Sequence, residues 1–133
     1  MGKEQFIMMK LKDSCYSNQL PLIENNIVYC EIKYQRDRSS FAGMAFKITN
    51  IENDIVVRKF EEKIIKEVSK YEKIYIGCEQ DYIDSIQEIF SSEKTNYGIE
   101  IFFLIYSDIR SSRIIFEKLI EAVHKNLEAI SKL

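Results

Sequence analysis

The chain has 133 residues, of which 46% are hydrophobic and 30% charged, and its net charge at pH 7 is −2. A chain of this length and balance can bury a core without disulfides or a structural metal, so we expect one globular domain over residues 1–133. Because the 19 basic and 21 acidic residues are interspersed, the chain lacks the clustered cationic face of a nonspecific nucleic-acid binder, and no nucleic-acid partner is expected.

The N-terminal residues, MGKEQFIMMKLKD, predict a first strand over residues 5–12. Their apolar run is too short for a signal peptide, and no later stretch approaches the ~18 apolar residues of a membrane span. We therefore expect a cytoplasmic protein without a membrane partner. A polar loop that contains Pro21 follows the strand.

Residues 27–35 alternate between two faces, as do residues 41–49, which is the pattern of half-buried strands. One face is apolar in both segments: Val28, Cys30, Ile32 and Tyr34 in the first, and Ala42, Met44, Phe46 and Ile48 in the second. Because only the five residues RDRSS separate the segments, the pattern predicts an antiparallel hairpin with one face buried.

The period of the pattern changes after this hairpin. Asn53 and Asp54 are suitable helix caps, and apolar residues then recur at spacings of three and four: Val57, Phe60, Ile64, Val68 and Tyr71. The spacing predicts a helix over residues 55–71. The β-branched run at residues 55–57 favours a third hairpin strand instead, and both alternatives stay open from the sequence.

The remaining elements alternate between strand and helix. We expect a strand at 73–77, a helix at 80–91, a strand at 98–106 whose unbroken apolar centre indicates burial on both faces, and a helix at about 111–131. The order β-β-β-α-β-α-β-α predicts an α/β (α+β) fold with a mixed sheet in two or three layers. A ribonuclease-H-like arrangement has the same order.

Polar residues follow both of the predicted parallel strands, as GCEQD at 77–81 and SDIRSS at 107–112. Ligands collect at this edge of an open α/β sheet. If the two strands are neighbours, Glu79 or Asp81 approaches Asp108, and such carboxylates can hold Mg²⁺ for phosphoryl transfer. In the alternative interpretation these residues only cap helices, which is the commoner role of polar residues at helix starts.

Cysteine and histidine offer little catalytic chemistry. Cys78 directly precedes a predicted helix, a position that lowers a thiol pKa, but the single histidine, His124, lies deep in the last helix. We therefore expect no nucleophilic dyad. The three cysteines lack CxxC spacing, and P-loop and GxGxxG motifs are absent, so no metal or other cofactor is expected.

The outer face of the predicted hairpin combines aromatic and charged residues. Tyr29 and Phe41 lie there with Lys33 close by, which gives the apolar centre and charged rim of a protein interface. In the alternative interpretation, the N-terminal loop or a helix covers this face. We predict a small non-enzymatic protein-interaction or regulatory domain that binds a protein partner or forms a homodimer through these residues. The alternative function is a magnesium-dependent phosphoryl-transfer enzyme that uses Glu79, Asp81 and Asp108.

Overall fold

The structure is a computed structural model that describes residues 3–20, 26–35 and 39–133. Within these ranges the chain forms seven strands and three helices: β1 (Lys3–Lys10), β2 (Val28–Gln35), β3 (Ser40–Thr49), β4 (Ile55–Val57), β5 (Lys63–Ser69), β6 (Glu72–Gly77), α1 (Gln80–Ser92), β7 (Gly98–Ser107), α2 (Arg113–Lys125) and α3 (Leu127–Ser131). Short 3-10 turns lie at Leu11–Asp13 and Ser17–Gln19. None of the helices in the described ranges has the length and hydropathy needed to cross a membrane.

The described strands belong to a single sheet. Its order is β1-β2-β3-β7-β6-β5, and neighbours along this order are antiparallel. β4 lies off this path and pairs in parallel with Ile99–Ile101 of β7. The same edge of β7 pairs with β6 further along, where Leu104 lies opposite Gly77. β7 therefore lies at the centre of the sheet and pairs with three strands.

Each face of the sheet carries its own hydrophobic core. On the helix face, α1 and α2 cover the apolar residues of β2, β3 and β7, and Ile86 and Phe116 of the two helices are fully buried. On the opposite face, which we call the second face, residues 11–20 and the ring of Phe60 cover Tyr29, Phe103 and Ile105. Both layers stabilise the fold by removing apolar surface from water.

The predicted hairpin at 27–49 is present as β2 and β3. Their register runs from Val28 opposite Phe46 to Tyr34 opposite Ser40. The alternation also assigns the faces as expected, because Cys30 and Ile32 pack against the helices and Tyr29 belongs to the second face. Three of the connecting residues, 36–38, lie outside the described ranges, as does Pro21.

The predicted fold class, an α/β fold with parallel strands and a ribonuclease-H-like arrangement, is wrong. The sheet is mostly antiparallel, and β7 runs antiparallel to β6 although a helix connects them. The edge of β7 beside Ile99 is occupied by β4, so β6 pairs only with the later half of β7. Burial of β7 on both faces, which indicated a parallel strand, results from the helices on one face and residues 11–20 with Phe60 on the other.

The predicted helix over residues 55–71 is also wrong, because this segment forms β4, an irregular link at 58–62, and β5. Asn53 does not cap a helix. Its φ is 55°, and its side-chain oxygen accepts a hydrogen bond from the Thr95 N–H at 2.7 Å. The β-branched residues 55–57 then pair with β7, as their strand propensity favours.

The apolar spacing that predicted this helix does not mark one buried face. Phe60 packs on the Phe103 ring with centroids 5.3 Å apart, whereas Ile64 and Val68 are 47% and 46% exposed on β5. The residues of the supposed stripe thus lie in different environments. β5 instead forms one edge of the sheet, opposite the edge formed by β1.

Candidate functional site

A concave surface beside β6 collects the carboxylates that the sequence singled out. It encloses about 260 Å³, and Glu62, Glu79, Asp81 and Asp108 line it together with three tyrosines. We call it the acidic cleft. The structure thus brings Glu79, Asp81 and Asp108 to one cleft. It does so although β6 and β7, the strands that precede these residues, are antiparallel and end on opposite sides of the sheet.

The carboxylates of the acidic cleft are spread along β6. Asp108 lies beside its start, where the carboxylate accepts a hydrogen bond from the Lys73 N–H at 3.0 Å. Glu79 follows its end and caps α1, accepting from the Asp81 N–H at 3.4 Å. Among the residues that the structure describes, no group of three His, Cys, Asp or Glu side chains is arranged to hold a metal ion. Two of the predicted site residues thus have local structural roles.

Tyrosine rings form the rest of the acidic cleft. Tyr75 stacks on Tyr106 at 5.7 Å between centroids, and Tyr82 meets Tyr106 edge-on at 5.4 Å. The Tyr106 hydroxyl donates to Glu62. Burial, followed by the negative charges of Glu79 and Asp81, raises the pKa of Tyr82. The cleft therefore carries negative charge around neutral phenols, which attracts cations and repels phosphate groups.

Cys78, at the end of β6, is not an activated thiol. Burial raises the pKa of the Cys78 thiol to about 11, opposite in direction to the effect expected from a helix start. Its sulfur lies 3.4 Å from the Arg58 carbonyl oxygen. His124 instead contacts Tyr97 through Nδ1 at 3.2 Å and Glu93 through Nε2 at 3.2 Å. The only histidine of the chain thus has other partners.

The second concave surface lies on the second face of the sheet and includes Lys33. It encloses about 360 Å³ and is lined by residues of β2, β3, β5 and β6 together with Tyr16 and Arg110. A volume of this size lies within the range of roughly 300–1,000 Å³ that is usual for binding pockets. We call it the basic groove, for the charges described next.

Two carboxylates are buried at the basic groove: Glu31 belongs to its lining, and Glu72 pairs with Arg110, which also lines it. Glu31 accepts a hydrogen bond from the Tyr29 hydroxyl at 2.8 Å and lies 3.3 Å from Lys33 Nζ. The Glu31 side chain is 10% exposed, whereas that of Lys33 is 44% exposed. The anion is therefore withdrawn from solvent while its cationic partner reaches outward.

The second buried carboxylate, Glu72, repeats this arrangement. It accepts hydrogen bonds from the Ser107 hydroxyl at 2.5 Å and from Arg110 Nε, and its side chain is 10% exposed against 30% for Arg110. Burial raises the pKa of Glu72, but the hydrogen bonds from Ser107 and Arg110 and the Arg110 charge outweigh it, so the pKa lies below its ordinary value. Glu72 is therefore ionised at neutral pH.

Phe41 lies between the two cations of the groove. Lys33 Nζ is 5.9 Å from the centre of its ring, and the Arg110 guanidinium carbon is 5.6 Å from it. Lys66 of β5 contributes a third cation to the lining, and Ile65 and Val68 contribute apolar surface. The groove thus combines an apolar lining with outward-facing positive charge, which suits a ligand that has both apolar and anionic groups.

The aromatic residues of the predicted interface are not on the outer surface of the hairpin. Tyr29 is 2% exposed and Phe41 4% exposed, because residues 11–20 fold over the second face and place Tyr16 on Tyr29, with ring centroids 5.1 Å apart. The expectation of exposed anchors is therefore not met. Lys33 remains accessible at this face, together with Arg110 and the side chains that cover Tyr29.

Sequence reasoning missed the role of Glu72 and the pairing of Arg110 with it. The two residues are separated by 38 positions, and they meet because β6 and β7 are antiparallel, with Ile74 opposite Ser107. A local motif cannot report this pairing.

Comparisons of the chain with protein-family models, curated proteins and solved structures find no significant match.

Proposed function

We propose that the protein is a non-enzymatic protein-interaction domain of the cytoplasm and that a partner protein docks in the basic groove. The observation that carries the proposal is the charge arrangement of the groove. Glu31 and Glu72 are buried beneath Lys33 and Arg110, so the charge presented to a partner is positive although each cation has a carboxylate nearby.

The lining favours a particular kind of docking segment. Ile65 and Val68 offer apolar contacts within the groove, and the cations at its rim can form charge-assisted hydrogen bonds with a carboxylate. A segment of the partner that places an aspartate or glutamate beside an apolar side chain satisfies both. The free thiols of Cys15, Cys30 and Cys78 are compatible with a reducing compartment.

Selection of peptides from a random display library tests this function. We expect the selected peptides to combine acidic and apolar residues, and we expect Lys33→Glu to weaken their binding at least about tenfold by reversing the charge at the rim. Lys94→Glu is the matched control, because Lys94 is exposed in the loop after α1 and makes the same change of charge outside the groove.

The affinity of synthetic versions of the selected peptides is then measured for the wild type and for both variants. Binding that survives Lys33→Glu as well as Lys94→Glu, or selected peptides without acidic residues, would overturn the proposal. Circular dichroism of both variants verifies that the fold is unchanged.

The acidic cleft does not support the phosphoryl-transfer alternative. Its carboxylates are spread along β6, and their charge opposes the approach of a phosphate group. We therefore do not propose an enzymatic function for Glu79, Asp81 and Asp108.

A further inference from the structure

β1 is an edge strand without the usual protection against pairing. It pairs with β2 over eight consecutive residues without a register shift, and no described strand lies on its other side. Between Glu4 and Lys10 its sequence is QFIMM, which contains neither charge nor proline. Charges, prolines and bulges are the features by which natural proteins keep sheet edges from pairing.

The other edge of the sheet shows those protective features. β5 has two register irregularities against β6 and carries Lys63, Lys66 and Glu67 along its seven residues. The two edges therefore differ in their capacity to accept another strand. β1 is regular and apolar at its centre, whereas β5 is irregular and charged.

The backbone groups that β1 presents outward can be assigned from its junction with β2. The Leu11 N–H donates to the Ile27 carbonyl at 2.9 Å, in register with Lys10 opposite Val28. Because inward and outward directions alternate along an antiparallel strand, the odd-numbered residues of β1 bond to β2. The N–H and C=O groups of the even-numbered residues point away from the sheet: Glu4, Phe6, Met8 and Lys10.

We propose that two copies of this chain associate through β1, antiparallel about a two-fold axis at Ile7. In this register Phe6 lies opposite Met8 of the partner, and Glu4 lies opposite Lys10 of the partner, twice by symmetry. The outward backbone groups of each copy then meet those of the other. An isologous pair of this kind is the commonest form of homodimer.

Charge complementarity selects this register over its neighbours. A shift of two residues in either direction still pairs outward backbone groups, but it separates Glu4 from Lys10 of the partner and places one of these charges opposite an apolar residue. Opposite charges directly across a strand pair are favourable, and losing them is not compensated elsewhere on β1. The register centred on Ile7 is therefore the one that places Glu4 opposite Lys10 of the partner.

Side-chain burial agrees with an apolar centre for this contact. Ile7, which is 43% exposed, meets its own copy on the second face. Phe6 and Met8 already pack at the border of the helix-face core, and pairing extends that core across the two-fold axis. The association does not depend on the basic groove, whose lining contains no residue of β1.

Sedimentation equilibrium of the full chain tests the proposal with a matched pair of variants. Ile7→Lys places two lysines directly opposite each other at the axis, and we expect it to weaken self-association at least about tenfold. Ile64→Lys introduces the same side chain on the opposite edge, at an isoleucine that is 47% exposed, and is expected to associate like the wild type.

Charge exchange tests the register itself. Glu4→Lys alone and Lys10→Glu alone each create two like-charged pairs and should weaken the dimer, whereas the double variant restores opposite charges and should recover wild-type association. A wild type that is monomeric at submillimolar concentration, or a double variant that does not recover, overturns the proposal. The exchange also decides the matter if Ile7→Lys does not fold.

Discussion

Tyr29 illustrates how the environment of a single residue decides its role. Its hydroxyl reaches across Gly43, where an added Cβ would lie 2.4 Å from it, and donates to the buried carboxylate of Glu31. The ring is covered by Tyr16. Tyr29 therefore belongs to the core of the second face and helps to hold Glu31 below the surface of the basic groove.

We accordingly expect Tyr29→Ala to lower the free energy of unfolding by about 3–5 kcal/mol, because it leaves a cavity and removes the donor from a buried carboxylate. Tyr71→Ala should change it by less than about 0.5 kcal/mol, since Tyr71 is 72% exposed. Chemical denaturation measures both. Equal, small losses in the two variants would contradict the burial of Tyr29.

The lowered pKa of Glu72 has a consequence for acid stability. A carboxyl group whose pKa is lower in the folded state stabilises the fold above its unfolded pKa, and that contribution is lost as the pH falls through the folded pKa. The pKa of Glu72 lies below its ordinary value of 4.5. The stabilisation by ionised Glu72 is therefore complete at neutral pH and declines as the pH falls below 4.5.

We expect Glu72→Gln to lower the free energy of unfolding at neutral pH and to lose less of it than the wild type on acidification. The difference between the two proteins should shrink as the pH falls below 4.5, the ordinary pKa of a glutamate, because the wild type then loses the contribution of ionised Glu72. Urea denaturation at several pH values measures it, with Glu67→Gln on exposed β5 as the control. A difference that stays constant with pH would mean that the Glu72 pKa is not lowered by folding.

At the scale of elements, the start of β7 is closely packed against the turn before β4. Gly98 lies beside the turn before β4, and a Cβ added there would lie 2.5 Å from the Ile51 carbonyl oxygen and 2.9 Å from that of Asp54. Both are backbone atoms, which cannot rotate away as a side chain can. Only glycine allows β4 and β7 to approach in this way.

Gly98→Ala should therefore lower the free energy of unfolding by roughly 1–3 kcal/mol, the range observed when atoms are forced into packed space. Asn96→Ala, two residues earlier at an exposed position, should have little effect. Chemical denaturation of the two variants compares them. A tolerated alanine at Gly98 would show that the turn at Ile51–Asp54 can move away from β7.

The elements that the sequence predicted well are those with a simple periodic environment. β2 and β3 have one face under the helices, so alternation identifies them, and α1 has a continuous stripe that includes Ile83, Ile86 and Phe90. β5 lacks such a pattern, because all of its residues except Ile65 are exposed and its register is irregular. The direction of β6 relative to β7 also escaped prediction, since a strand-helix-strand pattern does not encode it.

The residues of the candidate site were likewise predictable only where they belong to an element with a simple periodic pattern. Lys33 could be found because the hairpin was recognised and its faces assigned. The sequence could not decide between an exposed face and one covered by the N-terminal loop, because residues 11–20 have no periodic pattern and are held over Tyr29 by tertiary contacts such as Tyr16 on Tyr29. Glu79 and Asp81 were placed correctly at a helix start, but their relation to Asp108 depended on strand direction.

At the scale of the whole molecule, the two hydrophobic layers share the same strands. Ile86 of α1 belongs to the helix-face core and Ile76 of β6 to the second-face core, and both are fully buried. Because β6 and β7 contribute side chains to both faces, loss of one layer removes the support of the other.

We therefore expect unfolding to be a single cooperative transition. Ile86→Ala and Ile76→Ala should each lower its midpoint, with losses of about 2–5 kcal/mol. Far-UV circular dichroism and tyrosine fluorescence should give coincident unfolding curves. Tyrosine emission can be used because the chain contains no tryptophan. Two separate transitions in either variant would show that the layers unfold independently.

The position of β7 at the centre of the sheet also sets an order of events during synthesis. β3 and β6, its two antiparallel neighbours, leave the ribosome before it, and each then has an unpaired edge where β7 will lie. The pairing of β3 with β7 joins residues that are far apart in the sequence, from Thr49 opposite Gly98 to Gly43 opposite Ile105, and long-range pairings of this kind form slowly. Until β7 is synthesised, the strands β1-β2-β3 and β5-β6 cannot join into one sheet. Their unpaired edges are exposed to incorrect pairing during that time.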